Sequence, residues 1–223
     1  MHKAKIAIAR QRYNPFGGAE RFVEGALTAL AQREQVDVTL LTRVWDEVVP
    51  KSTERHVEIV NPAYNRWPFY RVNRDRSFAN AVGDIIRSGR FDLVQAHERI
   101  PGCHIFRAGD GIHAAWLRHR QAGLAKLSSW WQMLDPYHAY TVEAERTMFL
   151  HPNLRAVICN SRMVADEIRQ EYDVAEGKLH VIYNGVDLQR YSRQNLIKNR
   201  KVVRSEFAIP PDAPLILYVG SGY

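Results

Sequence analysis

The stretch AKIAIARQRYNPFGGAERFVEGALTALAQREQVDVTLLT, residues 4–42, decides the fold. It opens with Ala4 to Ala9, a short apolar run whose Ile6 and Ile8 suit a strand buried on both faces. A Pro15-Phe16-Gly17-Gly18 turn follows. Apolar residues then recur at Phe22, Val23, Ala26, Leu27 and Leu30, a helical stripe of period near 3.6. Val36 to Thr42 reads as a second buried strand. Strand, turn, helix and strand in so short a span make a βαβ unit, which requires a parallel sheet and a right-handed crossover.

The alternation runs outward from that unit. His56 to Val60, Phe91 to Ala96, His104 to Ala108, Arg155 to Asn160 and Leu179 to Tyr183 read as strands. Phe78, Ala81, Val82, Ile85 and Ile86 form a second helical stripe, ended near Gly89. Leu127 to Leu150 reads as mostly helical, broken or opened at Pro136, and Ser161 suits the N-cap of a helix through Tyr172. The fold expected is α/β: a Rossmann-like, doubly wound, mainly parallel sheet.

The tail changes character. Gln194 to Arg204 is polar and strongly basic, and Ile209-Pro210-Pro211-Asp212-Ala213-Pro214 reads as extended. Leu215 to Val219 then gives another buried-strand signal, with Gly220-Ser221-Gly222-Tyr223 after it. The expected organisation is a domain over residues 1–193, a linker over 194–214, and the first strand of a second domain over 215–223.

With 46% hydrophobic and 25% charged residues, the 223-residue chain has material for a sizeable core, which excludes disordered and fibrous classes. Its two cysteines, Cys103 and Cys159, lie in separate apolar runs without CxxC spacing, so neither a disulfide framework nor a thiolate zinc site is expected. A reducing, cytoplasmic setting fits that usage. Lys3, Lys5, Arg10 and Arg12 interrupt the first apolar run, which is therefore no signal peptide. Thirty-one Lys and Arg against 24 Asp and Glu leave a net charge of +7, a surface that favours anionic partners such as nucleotides, nucleic acid, acidic lipid or phosphorylated glycans.

Gly17 and Gly18 follow the first strand, where two glycines let the backbone approach a ligand and a helix start aims free N–H groups at phosphate or sugar oxygens. The same pair also serves as a plain strand-to-helix turn. No G-x-G-x-x-G and no Walker lysine is present, which disfavours dinucleotide and P-loop readings.

From here the sequence resembles glycosyltransferase family 4, retaining enzymes built from two Rossmann-like domains in the GT-B architecture. Pro15-Phe16-Gly17-Gly18-Ala19-Glu20-Arg21 is similar to the family's opening loop. Phe91-Asp92-Leu93-Val94-Gln95-Ala96-His97 is similar to its strand ending in DVVHAH, and Val157-Ile158-Cys159-Asn160-Ser161 to the strand before its NS helix start. Val181-Ile182-Tyr183-Asn184-Gly185-Val186-Asp187 matches its V-I-x-N-G-V-D, with Arg190-Tyr191 after it. Leu217-Tyr218-Val219-Gly220-Ser221 is similar to the first strand of its donor-binding domain. Within the family, the basic and aromatic middle of the chain resembles the lipopolysaccharide-core glucosyltransferases. The resemblance implies a nucleotide sugar such as UDP-glucose as donor, a phosphorylated lipopolysaccharide-core or related glycan as acceptor, no cofactor and no metal. It also implies that the donor-side Arg/Lys pair and E-x7-E motif lie beyond Tyr223, so that this chain alone does not turn over.

By the same resemblance, Gly17 and Gly18 lie beside the donor. Asp110, in Gly109-Asp110-Gly111, stands where many members carry a histidine, and is the candidate catalytic group; its alternative is a turn residue. His97 ends a strand at the edge where ligands gather, or is a capping histidine. Asn184 and Gly185 line the cleft, or serve a local turn. Arg21 faces the anionic ligand, or pairs with Glu20 or Glu24.

Two segments mix aromatic and basic residues: Tyr64 to Phe78, with Arg66, Trp67 and Arg71, and His113 to Tyr140, with Trp116, Arg118, Arg120, Trp130 and Trp131. They suit contact with an anionic membrane surface or the acceptor, and otherwise core packing; the single-stranded nucleic-acid pattern lacks any accompanying motif. Peripheral association with the cytoplasmic face of the inner membrane is the localisation expected, and Leu215–Val219 is a candidate for self-association. Nine scattered histidines give no metal-site spacing. The alternatives are a stand-alone nucleotide- or glycan-binding module, or a basic nucleic-acid-binding α/β domain.

Overall fold

The computed structural model describes residues 3–13, 18–45, 56–122, 135–186, 188–189 and 191–218. Its centre is β1 (Ala4–Ala9), which pairs in parallel with β3 (Val36–Thr42) on one side and β6 (Leu93–Ala96) on the other. Beyond β3 lies β5 (His56–Ile59); beyond β6 come β7 (Ile105–Ala108), β8 (Ala156–Cys159) and β9 (Leu179–Val181). Seven strands, all parallel, thus run in the order β5-β3-β1-β6-β7-β8-β9. The winding reverses between β1 and β6, and in such sheets ligands enter the crevice outside the carboxyl ends of the strands at the reversal. A separate ladder of β2 (Arg12–Tyr13) and β4 (Val44–Trp45) continues past the ends of β1 and β3.

Alternation along β1 sends its residues to two cores. Ile8 packs with Leu40 and with Val23 and Leu27 of α1 (Gly18–Ala31). Ala7 and Ala9 join Leu41, Phe78 and Val82 of α2 (Tyr70–Arg87) and a larger cluster reaching Met148 and Phe149 of α4 (Pro136–Phe149) and Val164 and Ile168 of α5 (Arg162–Glu171). Small Ala7 and Ala9 leave room for Phe78, and both sheet faces are covered, as a parallel sheet demands. Ser161 caps α5, its side chain accepting from the Val164 N–H, and Asp135 caps α4 ahead of Pro136.

Four features differ from the expectation. The second helix begins at Tyr70, eight residues before the Phe78 stripe, so the first aromatic-basic segment is helical from Tyr70 on. His113–Ala122 is a helix, α3, although its mixture of Trp, His and Arg shows no clean apolar stripe. Within the expected linker, Arg193–Glu206 forms the helix α6, with the Ser192 side chain accepting from the Asn195 N–H. Leu215–Tyr218, expected as a strand, joins no ladder and is exposed, Ile216 at 98%; Val219 lies outside the described residues. An apolar β-rich run becomes a strand only where an edge offers its N–H and C=O groups partners.

Contacts divide the chain into a large unit, Met1–Tyr183, and a small one, Asn184–Tyr223. In the small unit Arg204 is buried and donates to the carbonyls of Pro210 and Ala213, tying the proline-rich segment to its helix. Four apolar residues of that helix, Leu196, Ile197, Val202 and Val203, are exposed.

Candidate active site at the carboxyl edge of the sheet

A buried carboxylate sets the frame. Glu145, on α4 and with no exposed surface, accepts from the backbone N–H of His113 (2.8 Å) and Ala114 (3.2 Å), the Tyr172 hydroxyl (2.9 Å) and Arg99 Nε (3.0 Å). It therefore satisfies the first N–H groups of α3, binds the loop after β6 through Arg99, and holds the end of α5. Burial, and then the Glu145 charge, push the Tyr172 hydroxyl well above its ordinary range, so it stays a donor.

The first turns of α2, α3 and α4 converge outside this hub. They enclose an open cleft of about 720 Å³ lined by Arg71, Arg99, Asp110, Ile112, His113, Trp116, Arg120, Asp135, Tyr137 and His138. The Trp116 ring stacks on His113 (centroids 5.5 Å, 20° between planes), and His113 Nε2 lies 2.9 Å from His138 Nδ1. Burial chiefly lowers His113 to about 4, so at neutral pH its imidazole is uncharged and can both donate and accept a hydrogen bond. The Arg71 guanidinium lies 3.8 Å from the centre of the Tyr137 ring, and that of Arg120 4.9 Å from the centre of Trp116. Asp110 is exposed, and among the described residues no side-chain hydrogen bond to its carboxylate occurs. The turn reading, in which Asp110 bonds its own backbone, therefore finds no support here.

The backbone beneath Asp110 is tightly specified. Buried Arg107, on β7, fills the space over Gly109: a Cβ there would sit 2.2 Å from Arg107 Nη1. Asn160 Nδ2 donates to the Gly109 carbonyl (2.8 Å), and Gly111 adopts φ +75°, the left-handed region glycine tolerates. Burial lowers the Arg107 pKa while the Asp110 charge raises it.

The crevice at the reversal holds more charge. His97 is buried and receives a hydrogen bond from Gln95 Nε2 at its Nε2 (3.0 Å), while its backbone N–H donates to Ala9 (3.1 Å). Burial, with Arg107 and Arg10 nearby, lowers it to about 3. It is a neutral core histidine in this arrangement and does not line the cleft. Its neighbour Glu98 pairs with Arg10 at 3.4 Å, while its second oxygen is buried without a hydrogen-bond partner among the described residues. Burial pushes that carboxyl up to about 7, against the pull of Arg10 and the Gln11 backbone.

The structure gathers Asp110, Arg71, Trp116 and Arg120 in one cleft. It sends Arg118 elsewhere, to Glu171 (3.3 Å) and Gln170 (3.1 Å) on α5, in an ion pair and hydrogen bond at the surface. Arg66 and Trp67 are exposed on the turn before α2, Trp67 at 88%. Gly18 opens α1 and Arg21 lies within it, its side chain outside the described residues, as are Gly17, Trp130 and Trp131. Asn184 and Gly185 belong to the small unit. Sequence reasoning missed Arg99, Glu98 and Glu145. The last was legible: Thr141, Ala144, Glu145, Met148 and Phe149 share one helical face, so a carboxylate lay on a buried stripe. Among the described residues no three His, Cys, Asp or Glu side chains come together as metal ligands, and no helix is long and apolar enough to cross a membrane.

A doubly wound parallel sheet with a charged and aromatic cleft at its carboxyl edge is a Rossmann-like architecture, the one each half of a GT-B enzyme has. The model of Glycosyltransferase Family 4 matches residues 16–190, and the chain belongs to that family. WaaG, a glycosyltransferase involved in lipopolysaccharide biosynthesis, superimposes with a TM-score of 0.73 at 18% identity over 92% of this chain and 52% of its own. Sucrose-phosphate synthase from Thermosynechococcus elongatus does so with a TM-score of 0.63 at 16% identity over 98% of this chain and 56% of its own. D-inositol 3-phosphate glycosyltransferase of Streptomyces avermitilis is 25% identical over 146 residues, 60% of this chain and 28% of that protein. The chain thus spans about half of those solved structures and under a third of that curated relative.

Proposed function

We propose that this chain is the acceptor-side half of a retaining glycosyltransferase that moves a hexose, glucose by preference, from a nucleotide sugar such as UDP-glucose to a lipopolysaccharide-core or related glycan. The observation that carries this reading is the cleft that exposed Asp110 lines together with Trp116 and the hydrogen-bonded His113 and His138. In it the Asp110 carboxylate accepts a hydrogen bond from an acceptor hydroxyl and orients it, the exposed edge of Trp116 packs against the sugar, and His113 and His138 complete the hydroxyl contacts. The start of α1 at the reversal of the sheet offers N–H groups to the donor. The family membership and the likeness in fold to WaaG support the reading. No metal or other cofactor enters it. The chain by itself is expected not to turn over, because the family's leaving-group contacts belong to a second domain.

The test is to incubate the complete gene product with UDP-glucose and truncated lipopolysaccharide core and follow labelled glucose into the acceptor. Incorporation with retention of the anomeric configuration is expected; no transfer from any nucleotide hexose to any such glycan contradicts the reading.

The exposed turn bearing Arg66, Trp67, Phe69 and Tyr70 favours peripheral binding to an anionic membrane, at the cytoplasmic face of the inner membrane. Release from anionic vesicles as salt rises supports this; equal binding to neutral vesicles opposes it. The exposed Leu215–Tyr218 run favours self-association, which deletion of residues 209–223 should abolish.

A further inference from the structure

Beside the cleft lies a second, smaller and more enclosed space of about 50 Å³, between α2, α4 and the loop after β6. Arg99 and Tyr137 line both spaces. We propose that this chamber is a water site: a small cluster of ordered water fills it, donates to Glu98 and Asp75, and carries the proton of Glu98 to and from solvent.

The hydrogen-bond arithmetic of the lining carries the argument. Glu98 pairs with Arg10 through Oε1, while Oε2 is buried and accepts nothing among the described residues. Asp75 accepts from Gln11 Nε2 (3.2 Å) and Arg74 Nε (2.7 Å), both at Oδ1. The donors that line the chamber are turned elsewhere: Thr141 Oγ1 donates to the Tyr137 carbonyl (2.7 Å), and Arg99 sends Nε and Nη2 to Glu145. The lining is therefore rich in acceptors and short of donors, and an anion has no place in it. Water brings both kinds of group. Each molecule needs about 10–15 Å³ of such space, so the chamber takes about three and is too small for a sugar or a nucleotide.

The charges around Glu98 fit that occupant. Arg10 faces it from the end of β1, Arg99 from its own loop, Asp110 from the loop after β7, Asp75 from α2, and Tyr137 and Tyr140 from α4. Burial, with Asp110 adding to it, pushes the carboxyl up to about 7 against Arg10, the Gln11 backbone and Arg99. Both protonation states are thus populated at neutral pH, and water serves each, donating to the carboxylate and accepting from the acid. None of this depends on the sugar chemistry of the cleft.

The experiment uses the chain as it is, with ¹³C in its alanine methyls. Ala79 and Ala144 both line the chamber. Water-selective NOE and ROE spectra should show cross-peaks from water to both methyls, with the sign of water that stays bound through molecular tumbling. Ala144→Val fills the space without removing a hydroxyl, so it should abolish the cross-peak at Ala79; Ala79→Val, on the opposite wall, should abolish the one at Ala144. A signal relayed from a side-chain hydroxyl would survive both substitutions. The Glu98 carboxyl carbon, assigned by its loss in Glu98→Gln, should titrate near 7 and move upward in Ala144→Val, because the ionised form loses its donors. Absent cross-peaks, cross-peaks that survive both filling variants, or a titration that filling leaves unmoved overturns the proposal. Cross-peaks that depend on added potassium or ammonium overturn it too, by making the chamber a cation site.

Discussion

Glu145 and Asp110 are carboxylates on either side of one helix start, and their surroundings are opposite. Glu145 is fully enclosed and accepts from two backbone N–H groups, a tyrosine hydroxyl and an arginine. Asp110, three residues before His113, is exposed, interacts through its charge with Arg107, and accepts no side-chain hydrogen bond among the described residues. The first builds the frame, because a buried charge persists only where pairing and hydrogen bonds offset its lost hydration. The second stands in water, with the Arg107 charge nearby. Acidity in the sequence does not separate these roles; the count of donors around each group does.

That contrast is broken most severely at Glu145. Glu145→Ala strands Arg99 and removes the cap of α3, and is expected to cost about 3–5 kcal/mol in urea unfolding. Glu145→Gln, which keeps some acceptors, should cost less; equal and small losses would show the hub to be dispensable. Next comes Gly109→Ala, whose Cβ would land 2.2 Å from Arg107 Nη1, with an expected cost of about 1–3 kcal/mol. An unchanged midpoint would mean Arg107 swings away freely.

A third test is acid unfolding. His97 is lowered from 6.5 to about 3 and His113 to about 4, so as pH falls through that window the unfolded chain takes up protons that the folded chain refuses, and stability falls. Glu98 acts in the other direction: raised from 4.5 to about 7, it favours the folded state in acid and loses that contribution as pH rises through 7. The two effects oppose each other between 4.5 and 6.5, and the histidine loss is unopposed below 4.5. His97→Asn should flatten the acid limb, each proton removed lowering its slope by about 1.4 kcal/mol per pH unit. An identical slope would show that His97 protonates in the folded state. The smallest expected effect on stability is at Asp110 itself, within about 0.5 kcal/mol for Asp110→Asn, as for other exposed side chains.

The parallel core was legible because its signal is local: Ala4–Ala9 and Val36–Thr42 are apolar runs, and both are strands with those bounds. Helix α6 was not, since its apolar residues Leu196, Ile197, Val202 and Val203 are exposed and its Lys and Arg content reads as a solvated linker. At the site, Asp110, Arg71, Trp116 and Arg120 were singled out, but nothing in their spacing, from 71 to 120, said that three helix starts would bring them together. Arg118 shows the converse: two residues from Arg120, about half a helical turn, a basic residue leaves the cleft for partners on α5. His97 stood on the expected sheet edge, yet its burial, a tertiary property, made it part of the core.

The most direct test of the central claim is the rate of glucose transfer by the complete gene product carrying Asp110→Asn. If Asp110 orients the acceptor hydroxyl, kcat/KM for the acceptor should fall by about 10²-fold or more, with the unfolding midpoint and donor binding unchanged. Transfer at the wild-type rate in a folded Asp110→Asn enzyme would place the acceptor elsewhere and contradict the account.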